Sequence, residues 1–230
     1  MSGKPSRGSR VRAEDIHRWG PVWSRRVGWF LAHAWWNTTV HGAENVPRTG
    51  PVVVASNHTG VIDGPLLHGV IPRGSHFIIK QEFWDTPLGF LMTLAGQIPV
   101  DRSNGRAALA VAQQLLHEGR VVGIFPEGNR GRGRVESTRA GVAWLAVHGR
   151  APVVPVACLG TRPSGKKVGY VPPPRARLHV VFGKPLVIDT ERREGGNREL
   201  MARAMKQIHE GLAAHVEDAV HLTGVPLPSH

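Results

Sequence analysis

The sequence predicts an α/β fold: a single domain with a mainly parallel sheet flanked by helices. The segment "PVVVASNH", residues 51–58, is almost continuously apolar, as a strand buried on both faces is. A second strand of this kind, "RVVGIF" at 120–125, follows a stretch of helical periodicity at 105–119. Strands that alternate with helices form parallel sheets, and 230 residues suffice for the core of one such domain.

The remaining elements continue the alternation. Further strands are predicted at "SHFIIK" (75–80), "PVVPVACL" (152–159) and "RLHVVFG" (177–183). The charge-free segment 86–100 predicts a short buried helix before an "IPV" strand. Helices are also predicted from about Ser137 to His148 and near the C-terminus, and the helix at 105–119 is expected to end at Gly119.

Composition and cysteine usage narrow the class of protein. Hydrophobic residues make up 41% of the chain and charged residues 20%, which is ordinary for a globular protein. The single cysteine, Cys158, lies in an apolar run and is predicted to be a buried core residue in a reducing compartment. One cysteine excludes both a disulfide framework and a thiolate metal site.

The N-terminal part divides into a tail and an aromatic segment. Residues 1–13 predict a basic flexible tail, whereas 14–37 hold five of the seven tryptophans beside three arginines. Pro21 divides this second segment into a turn and an amphipathic helix that is suited to docking on a membrane. The alternative is a helix that packs its tryptophans on its own domain. Residues 38–225 are predicted to form the α/β domain.

The net charge of +12 indicates a polyanionic partner. Nucleic acid, an anionic lipid surface and a phosphate-bearing substrate all fit this charge, and so does an ordinary protein of a generally basic proteome. The chain has neither an apolar run long enough to span a membrane nor a secretory signal. Any membrane contact is therefore expected to be peripheral or monotopic.

His58 and Asp63 lie five positions apart at the end of the strand at 51–58. On a continuous helix that spacing turns through about 500°, so the two side chains meet only where the backbone bends. Gly60 and Gly64 supply a bend, at the carboxyl end of a strand where parallel sheets place their sites. Asp63 is expected to accept a hydrogen bond from one ring nitrogen of His58 and to leave the other nitrogen as a base, which suits group transfer onto an alcohol.

Two further loops carry charge after apolar strands. Arg102 ends "GQIPVDR", and "FPEGNRGR" contributes Glu127, Gly128 and Arg130. An arginine fork matches a phosphate, and a carboxylate such as Glu127 accepts from a hydroxyl or holds the fork in place. The same Gly- and Arg-rich loop is also compatible with a solvated surface loop or with RNA binding.

Four motifs in one order give the sequence a resemblance to a known family. "NHTGVID", "GQIPVDR", "FPEGNRGR" and "PVVPVA" resemble the motifs of the glycerophospholipid acyltransferases, specifically the 1-acyl-sn-glycerol-3-phosphate acyltransferase (PlsC-like) family. The resemblance spans about residues 38–185. It implies an acyltransferase domain of α/β type over 38–225, with an N-terminal helical element that docks on membrane.

The resemblance also implies roles for the residues of the motifs. His58 corresponds to the general base and Asp63 to its orienting partner. The implied substrate-binding residues belong to the second and third motifs: Arg102, Glu127, Gly128 and Arg130. The fourth motif, with Val154 and Pro155, is associated with the acyl-donor side.

The reaction implied by the resemblance moves a fatty acyl group to the free hydroxyl of lysophosphatidic acid and gives phosphatidic acid in phospholipid biosynthesis. Acyl-CoA or acyl-carrier protein serves as co-substrate, and no metal or other cofactor is needed. The expected partners are the lysophospholipid acceptor, the acyl donor and an anionic membrane surface. The expected location is the cytoplasmic face of the cell membrane, and no nucleic acid is expected.

Departures from the family pattern keep alternatives open. Asn129 stands where the third motif has Thr or Ser, and Gly131 where it has Ser, so another lysophospholipid is an alternative acceptor. A basic nucleic-acid- or membrane-binding protein without catalysis is an alternative of another class. A metal-dependent hydrolase is a further alternative, although the spacing of its candidate ligands matches no compact pattern: His58, Asp63, His68 and His76.

Overall fold

A computed structural model describes residues 11–101, 105–135, 138–191 and 196–229. Within these ranges seven strands form one sheet. The strands are β1 (Asn37–His41), β2 (Val52–Ser56), β3 (Ser75–Lys80), β4 (Ile98–Val100), β5 (Val121–Ile124), β6 (Val153–Leu159) and β7 (Arg177–Phe182). The α-helices are α1 (Gly20–Phe30), α2 (Asp63–Val70), α3 (Gly89–Leu94), α4 (Gly105–His117), α5 (Gly141–His148) and α6 (Gly196–Thr223). The predicted α/β class is confirmed.

The sheet is mainly parallel, as predicted. Its strand order is β1-β7-β6-β2-β5-β3-β4, and all neighbours are parallel except β6 and β7. Val53 of β2 lies opposite Val153 of β6, and Val52 lies opposite Val121 of β5. Because β2, β3, β5 and β6 run in one direction, their carboxyl ends meet at one edge of the sheet.

Helices cover both faces of the sheet. Val53 and Ala55 of β2 belong to an apolar cluster with α4, α5 and α6, whereas Val52 and Val54 belong to a second cluster with α2 and the segment before β1. This alternation follows from the two-residue period of a strand. Because both faces of β2 are buried, consecutive positions are apolar, which explains the continuous run that predicted this strand.

Two local predictions are confirmed. α4 ends at His117, and Gly119 takes the left-handed conformation, with φ of +74°, that commonly closes a helix. Cys158 is fully buried on β6, where the hydroxyl of Ser56 approaches its sulfur at 3.5 Å. Burial, followed by the negative charge of Asp63, raises the pKa of the Cys158 thiol above its usual range, so this side chain is an inert core residue.

The prediction of a buried helix within residues 86–100 is wrong. α3 lies in this segment, but the segment presents three large apolar side chains to solvent. Leu88, Phe90 and Leu94 are 55%, 62% and 38% exposed. The absence of charge therefore reflects an apolar surface, because burial depends on which neighbours cover a helix and not on its own composition.

The N-terminal segment is helical and lies against α2. A 3-10 turn at Ala13–Asp15 precedes α1, which has Pro21 in its first turn, and a π-helical turn at Leu31–Trp35 follows. Trp36 is buried, but three tryptophans of this segment are exposed: Trp19, Trp29 and Trp35. No helix among the described residues is long and apolar enough to cross a membrane.

α1 and α2 cross at two glycines. A Cβ atom added to Gly28 would lie 2.7 Å from the Cα atom of Gly69, and one added to Gly69 would clash with the backbone of Gly28. Next to this crossing the ring of His68 is buried between two hydroxyls, with Nε2 2.8 Å from Ser24 Oγ and Nδ1 2.8 Å from Ser75 Oγ. The glycines allow the two helix backbones to approach this closely.

His68 fits its site as a neutral ring. Ser24 Oγ donates to the carbonyl oxygen of Gly20, so it accepts from Nε2–H of His68, and Nδ1 accepts from Ser75. Burial, followed by charge interactions with His76 and Arg25, lowers the pKa of His68 to about 4. The contact between α1 and α2 therefore includes a polar group that is satisfied without charge.

Gly69→Ala is expected to destabilise the fold by about 1–3 kcal/mol, because the added methyl group meets backbone atoms that no rotamer change can move. Gly64→Ala on the same helix is the matched control, since nothing lies within 4 Å of a Cβ atom there. The better helix propensity of alanine should leave this control neutral or slightly stabilised. Urea-induced unfolding followed by circular dichroism measures both variants. Equal unfolding midpoints would contradict the close crossing.

Lowering the pH from about 7 to about 5 is expected to remove about 2 kcal/mol of unfolding free energy through His68. The folded ring has a depressed pKa, so the unfolded ring, with its ordinary pKa near 6.5, binds a proton that the folded ring does not. The stabilisation is complete above about pH 6.5 and is lost as the pH falls toward 4. The measurement compares the change in unfolding free energy between the two pH values in wild type and in His68→Gln. An identical change in both proteins would refute the assignment.

Candidate active site

The candidate site lies where β2 leaves the sheet. Asn57 is fully buried and bonds to the backbone of Cys158 on β6: its Oδ1 accepts from Cys158 N–H at 2.8 Å, and its Nδ2 donates to the carbonyl oxygen at 3.2 Å. These bonds hold the end of β2 against β6. The residues of the fourth motif, Val154 and Pro155, are buried within the same strand. His58 follows at the carboxyl edge of the sheet.

His58 and Asp63 are in direct contact. Nδ1 of His58 lies 2.9 Å from Oδ2 of Asp63, and the same oxygen accepts from the backbone N–H groups of Thr59 at 2.7 Å and Gly60 at 2.8 Å. Asp63 is fully buried as the first residue of α2, so its carboxylate has a fixed position. With the ring proton on Nδ1, the lone pair of Nε2 is free to accept a proton, which is the arrangement that a general base requires.

The His58 ring packs against Phe125 and remains partly exposed to solvent. The ring of Phe125, the first residue after β5, stacks on that of His58 with centroids 4.1 Å apart and an angle of 19° between the planes. The His58 side chain keeps 14% of its surface exposed. The ring is thus held in one orientation and can still be reached by a substrate hydroxyl.

The loop after β5 forms hydrogen bonds to both the N–H and the carbonyl group of His58. Glu127 Oε1 accepts from His58 N–H at 3.0 Å, and Gly131 N–H donates to the carbonyl oxygen of His58 at 2.9 Å. The sequence predicts Glu127 as a substrate-binding residue. It does not predict the hydrogen bond between Glu127 and the backbone of His58. Glu127 supports the peptide group that carries the candidate base.

Gly128 is required by the shape of this loop. Its φ is +69°, and a Cβ atom there would lie 2.6 Å from Cζ of Arg139. The guanidinium group of Arg139 therefore packs directly against the backbone at Gly128. The sequence gives no signal for Arg139, because no spacing within the third motif indicates that a later residue folds back on it.

Positive side chains lie at the same edge of the sheet. Lys80, the last residue of β3, donates to Oδ1 of Asn129 at 2.7 Å. Arg130 is exposed on the same loop, and Arg102 lies outside the described residues. Lys80 is not among the predicted site residues, although its place at the end of a predicted parallel strand points to this edge.

The histidines of the metal-hydrolase alternative do not gather at this site. The described residues contain no group of three His, Cys, Asp or Glu side chains that could hold a metal ion. His68 is bonded to two serines, and Nδ1 of His76 lies 2.6 Å from the carbonyl oxygen of Gly96. Neither ring joins the pair formed by His58 and Asp63.

Comparisons with known proteins identify the family. The family model described as Acyltransferase matches residues 37–159. A Bacillus subtilis (strain 168) protein named 1-acyl-sn-glycerol-3-phosphate acyltransferase is 33% identical over 150 residues, which cover 64% of this chain and 72% of the relative. The Cocos nucifera protein of the same name is 31% identical over 165 residues, which cover 69% of this chain and 51% of that relative. The Homo sapiens protein named 1-acyl-sn-glycerol-3-phosphate acyltransferase alpha is 36% identical over 123 residues, which cover 51% of this chain and 44% of that relative. This chain thus spans about half the length of the coconut and human relatives.

A solved structure agrees with the observed fold. The crystal structure of the 1-acyl-sn-glycerophosphate (LPA) acyltransferase, PlsC, from Thermotoga maritima matches with a TM-score of 0.58 and 23% sequence identity, covering 85% of this chain and 78% of that one. The family match includes the loop of His58 and Asp63 as well as the loop of Glu127. The chain therefore belongs to the acyltransferase family, as an O-acyltransferase related to the 1-acyl-sn-glycerol-3-phosphate acyltransferases.

Proposed function

We propose that the protein transfers a fatty acyl group from acyl-CoA or acyl-carrier protein to the free hydroxyl of lysophosphatidic acid, producing phosphatidic acid in phospholipid biosynthesis. The observation that carries this proposal is the 2.9 Å contact between His58 Nδ1 and Asp63 Oδ2, which leaves Nε2 as a base at the carboxyl edge of the sheet. The names of the relatives support lysophosphatidic acid as the acceptor.

The proposed chemistry needs one base and one orienting carboxylate. Nε2 of His58 removes the proton of the acceptor hydroxyl as the hydroxyl oxygen attacks the carbonyl carbon of the thioester. The resulting imidazolium is stabilised through its Nδ1–H bond to Asp63. Collapse of the tetrahedral intermediate breaks the carbon–sulfur bond, and the thiolate takes the proton from Nε2, so that an ester and a free thiol leave. No step requires a metal or a redox cofactor.

Positive charge near the base supports an acceptor that carries a phosphate. Lys80 and Arg130 lie on neighbouring elements of the carboxyl edge, and Lys80 is tied to the third-motif loop through Asn129. Arginine and lysine donors bind phosphate oxygens through charge-assisted hydrogen bonds. Arg102 and Glu127 complete the predicted acceptor-binding set with Gly128. Another lysophospholipid is the alternative acceptor, because Asn129 replaces the usual hydroxyl residue of the motif.

A membrane surface is the proposed source of the acceptor, and one apolar face of the protein fits it. The N-cap residue of α1, α1 itself and the turn after it expose large apolar side chains: Trp19, Val22, Val27, Trp29, Phe30 and Trp35. The exposed side chains of the α3 segment extend this face, because Trp23 Nε1 donates to the carbonyl oxygen of Leu94 at 3.3 Å and Gly20 packs on the backbone of Ala95. We call these exposed residues of the two segments the docking face.

The docking face combines the features of an interfacial membrane contact. Aromatic side chains favour the headgroup region, and the exposed Arg26 of α1 attracts anionic lipids, as does the net charge of +12. Large contiguous apolar patches are uncommon on monomeric soluble proteins. A peripheral or monotopic position at the cytoplasmic face of the cell membrane therefore forms part of the proposal.

Replacing His58 by Ala is expected to lower acceptor-dependent thiol release from palmitoyl-CoA by about 10²–10⁴-fold, because general-base catalysis contributes that much. The assay uses lysophosphatidic acid in detergent micelles and is repeated without acceptor and with acyl-carrier protein as the donor carrier. His221→Ala, at an exposed histidine of α6, serves as the control and should keep wild-type activity. Equal release by wild type and His58→Ala would reject the mechanism. Absence of release from wild type with both donors would leave two alternatives, another lysophospholipid as the acceptor or a non-catalytic membrane-binding protein.

Phe90→Asp is expected to weaken binding to vesicles that contain phosphatidylglycerol by about tenfold or more, since burial of a phenylalanine contributes about 1.5–3 kcal/mol and a buried charge opposes it. Leu222→Asp is the matched control, because Leu222 is 63% exposed on α6, outside the docking face. Co-sedimentation with vesicles measures both variants, and circular dichroism checks their folding. Equal binding by the two variants would exclude α3 from the docking face.

A further inference from the structure

We propose that Arg162 is a positioning residue for the acyl transfer. Its buried guanidinium group holds the loop after β5, and that loop is hydrogen-bonded to the backbone of His58. The inference rests on the proposed function, because it assigns to Arg162 the placement of the proposed base. Arg162 belongs to none of the four motifs and follows β6 by three residues. It is one of the few charged residues that the structure buries, with 6% of its surface exposed.

The contacts of Arg162 lead directly to His58. Its Nη2 donates to the carbonyl oxygen of Gly131 at 2.6 Å, and its Nη1 approaches the carbonyl oxygen of Lys166 at 3.4 Å. Gly131 in turn donates its N–H to the carbonyl oxygen of His58 at 2.9 Å. A single residue, Gly131, thus separates the guanidinium group from the backbone of the proposed base.

A second connection runs through the neighbour of Arg162. Oγ1 of Thr161 lies 2.9 Å from Oγ1 of Thr59, and a Cβ atom at Gly60 would lie 3.1 Å from the carbonyl oxygen of Thr161. Residues 161–162 therefore contact the chain immediately after His58: Thr59 and Gly60 directly, and the carbonyl of His58 through Gly131. The residues that follow β6 therefore contact both the loop of His58 and the loop after β5, and they fix the position of one relative to the other.

Fold stability alone does not account for a cation in this place. The described residues offer Arg162 two carbonyl oxygens and no carboxylate within ion-pair distance, and its buried Nε has no acceptor among them. Burying a charged group without an opposite charge costs several kcal/mol, and a well-packed apolar side chain usually avoids that cost. What the guanidinium supplies is rigid, directed donors that hold the Gly131 carbonyl in place.

Precise placement of a base affects turnover more than binding. A misplacement of about 1 Å in a catalytic group lowers a rate by about 10²-fold, because the reacting atoms leave their near-attack geometry. Arg162 is buried and contacts backbone carbonyls, so it does not meet the substrate. Its loss should therefore reduce kcat, while the KM values for acceptor and donor stay close to those of wild type.

The test measures kcat and both KM values for three variants, with thermal unfolding as a check of folding. Arg162→Met should lower kcat by about 10²-fold and change each KM by less than about threefold. Arg162→Lys, which keeps the charge but offers a single donor point, should recover part of that loss. Arg177→Met is the control, because Arg177 is an exposed arginine on β7 and should behave as wild type.

Several outcomes would overturn the assignment. A folded Arg162→Met protein with wild-type kcat excludes a positioning role, and a raised KM for one substrate with unchanged kcat makes Arg162 a binding residue instead. If Arg162→Met does not fold, Arg162→Lys and Thr161→Val test the proposal instead. Both variants are expected to fold and to have a lower kcat than wild type. A wild-type kcat in both variants overturns the proposal. An inactive wild-type protein rejects the proposed function itself, whereas an active wild type with an equally active Arg162→Met rejects this inference alone.

Discussion

The backbone beyond the end of β2 must find hydrogen-bond partners in a buried place, and this constraint organises the whole site. Where β2 leaves the sheet, its peptide groups lose their strand neighbours and cannot turn to water. Side chains and a loop supply the missing partners: Asn57 pairs with β6, Glu127 and Asp63 accept the N–H groups of residues 58–60, and Gly131 donates to the carbonyl of His58. The bonds that satisfy this backbone are the bonds that place the proposed base.

Asp63 connects this arrangement to the N-terminal segment. It begins α2, and the other end of the same short helix meets α1 at the crossing of Gly28 and Gly69. Only one helix of eight residues therefore separates the carboxylate that orients His58 from the helix that carries much of the docking face. Close glycine packing and the neutral, fully bonded His68 make that connection a tight one. An enzyme that takes its acceptor from a membrane needs its base at a defined height above the surface.

The positive side chains near His58 differ in burial, and we propose a different role for the exposed and the buried ones. Lys80 and Arg130 lie at the edge of the sheet, where solvent screens them until an anionic substrate replaces the water. Arg162 lies beneath the same loop and points its donors at backbone carbonyls. In the proposed mechanism, positive residues near the surface recognise the substrate and the buried Arg162 fixes geometry, because the cost of burying a charge is accepted only where directed donors are needed.

The sequence by itself determined the α/β class, the strands that carry the site, the close of α4 by Gly119 and the meeting of His58 with Asp63. Each of these depends on hydrophobic periodicity or on a bend within a few residues. Only the tertiary structure decided the partners of Glu127, Lys80 and Arg162, which lie 69, 49 and 31 positions away along the chain. It also decided that Leu88, Phe90 and Leu94, at and within α3, face solvent. Such contacts follow from which strands become neighbours, and that order is set by packing of the whole domain, which no local pattern encodes.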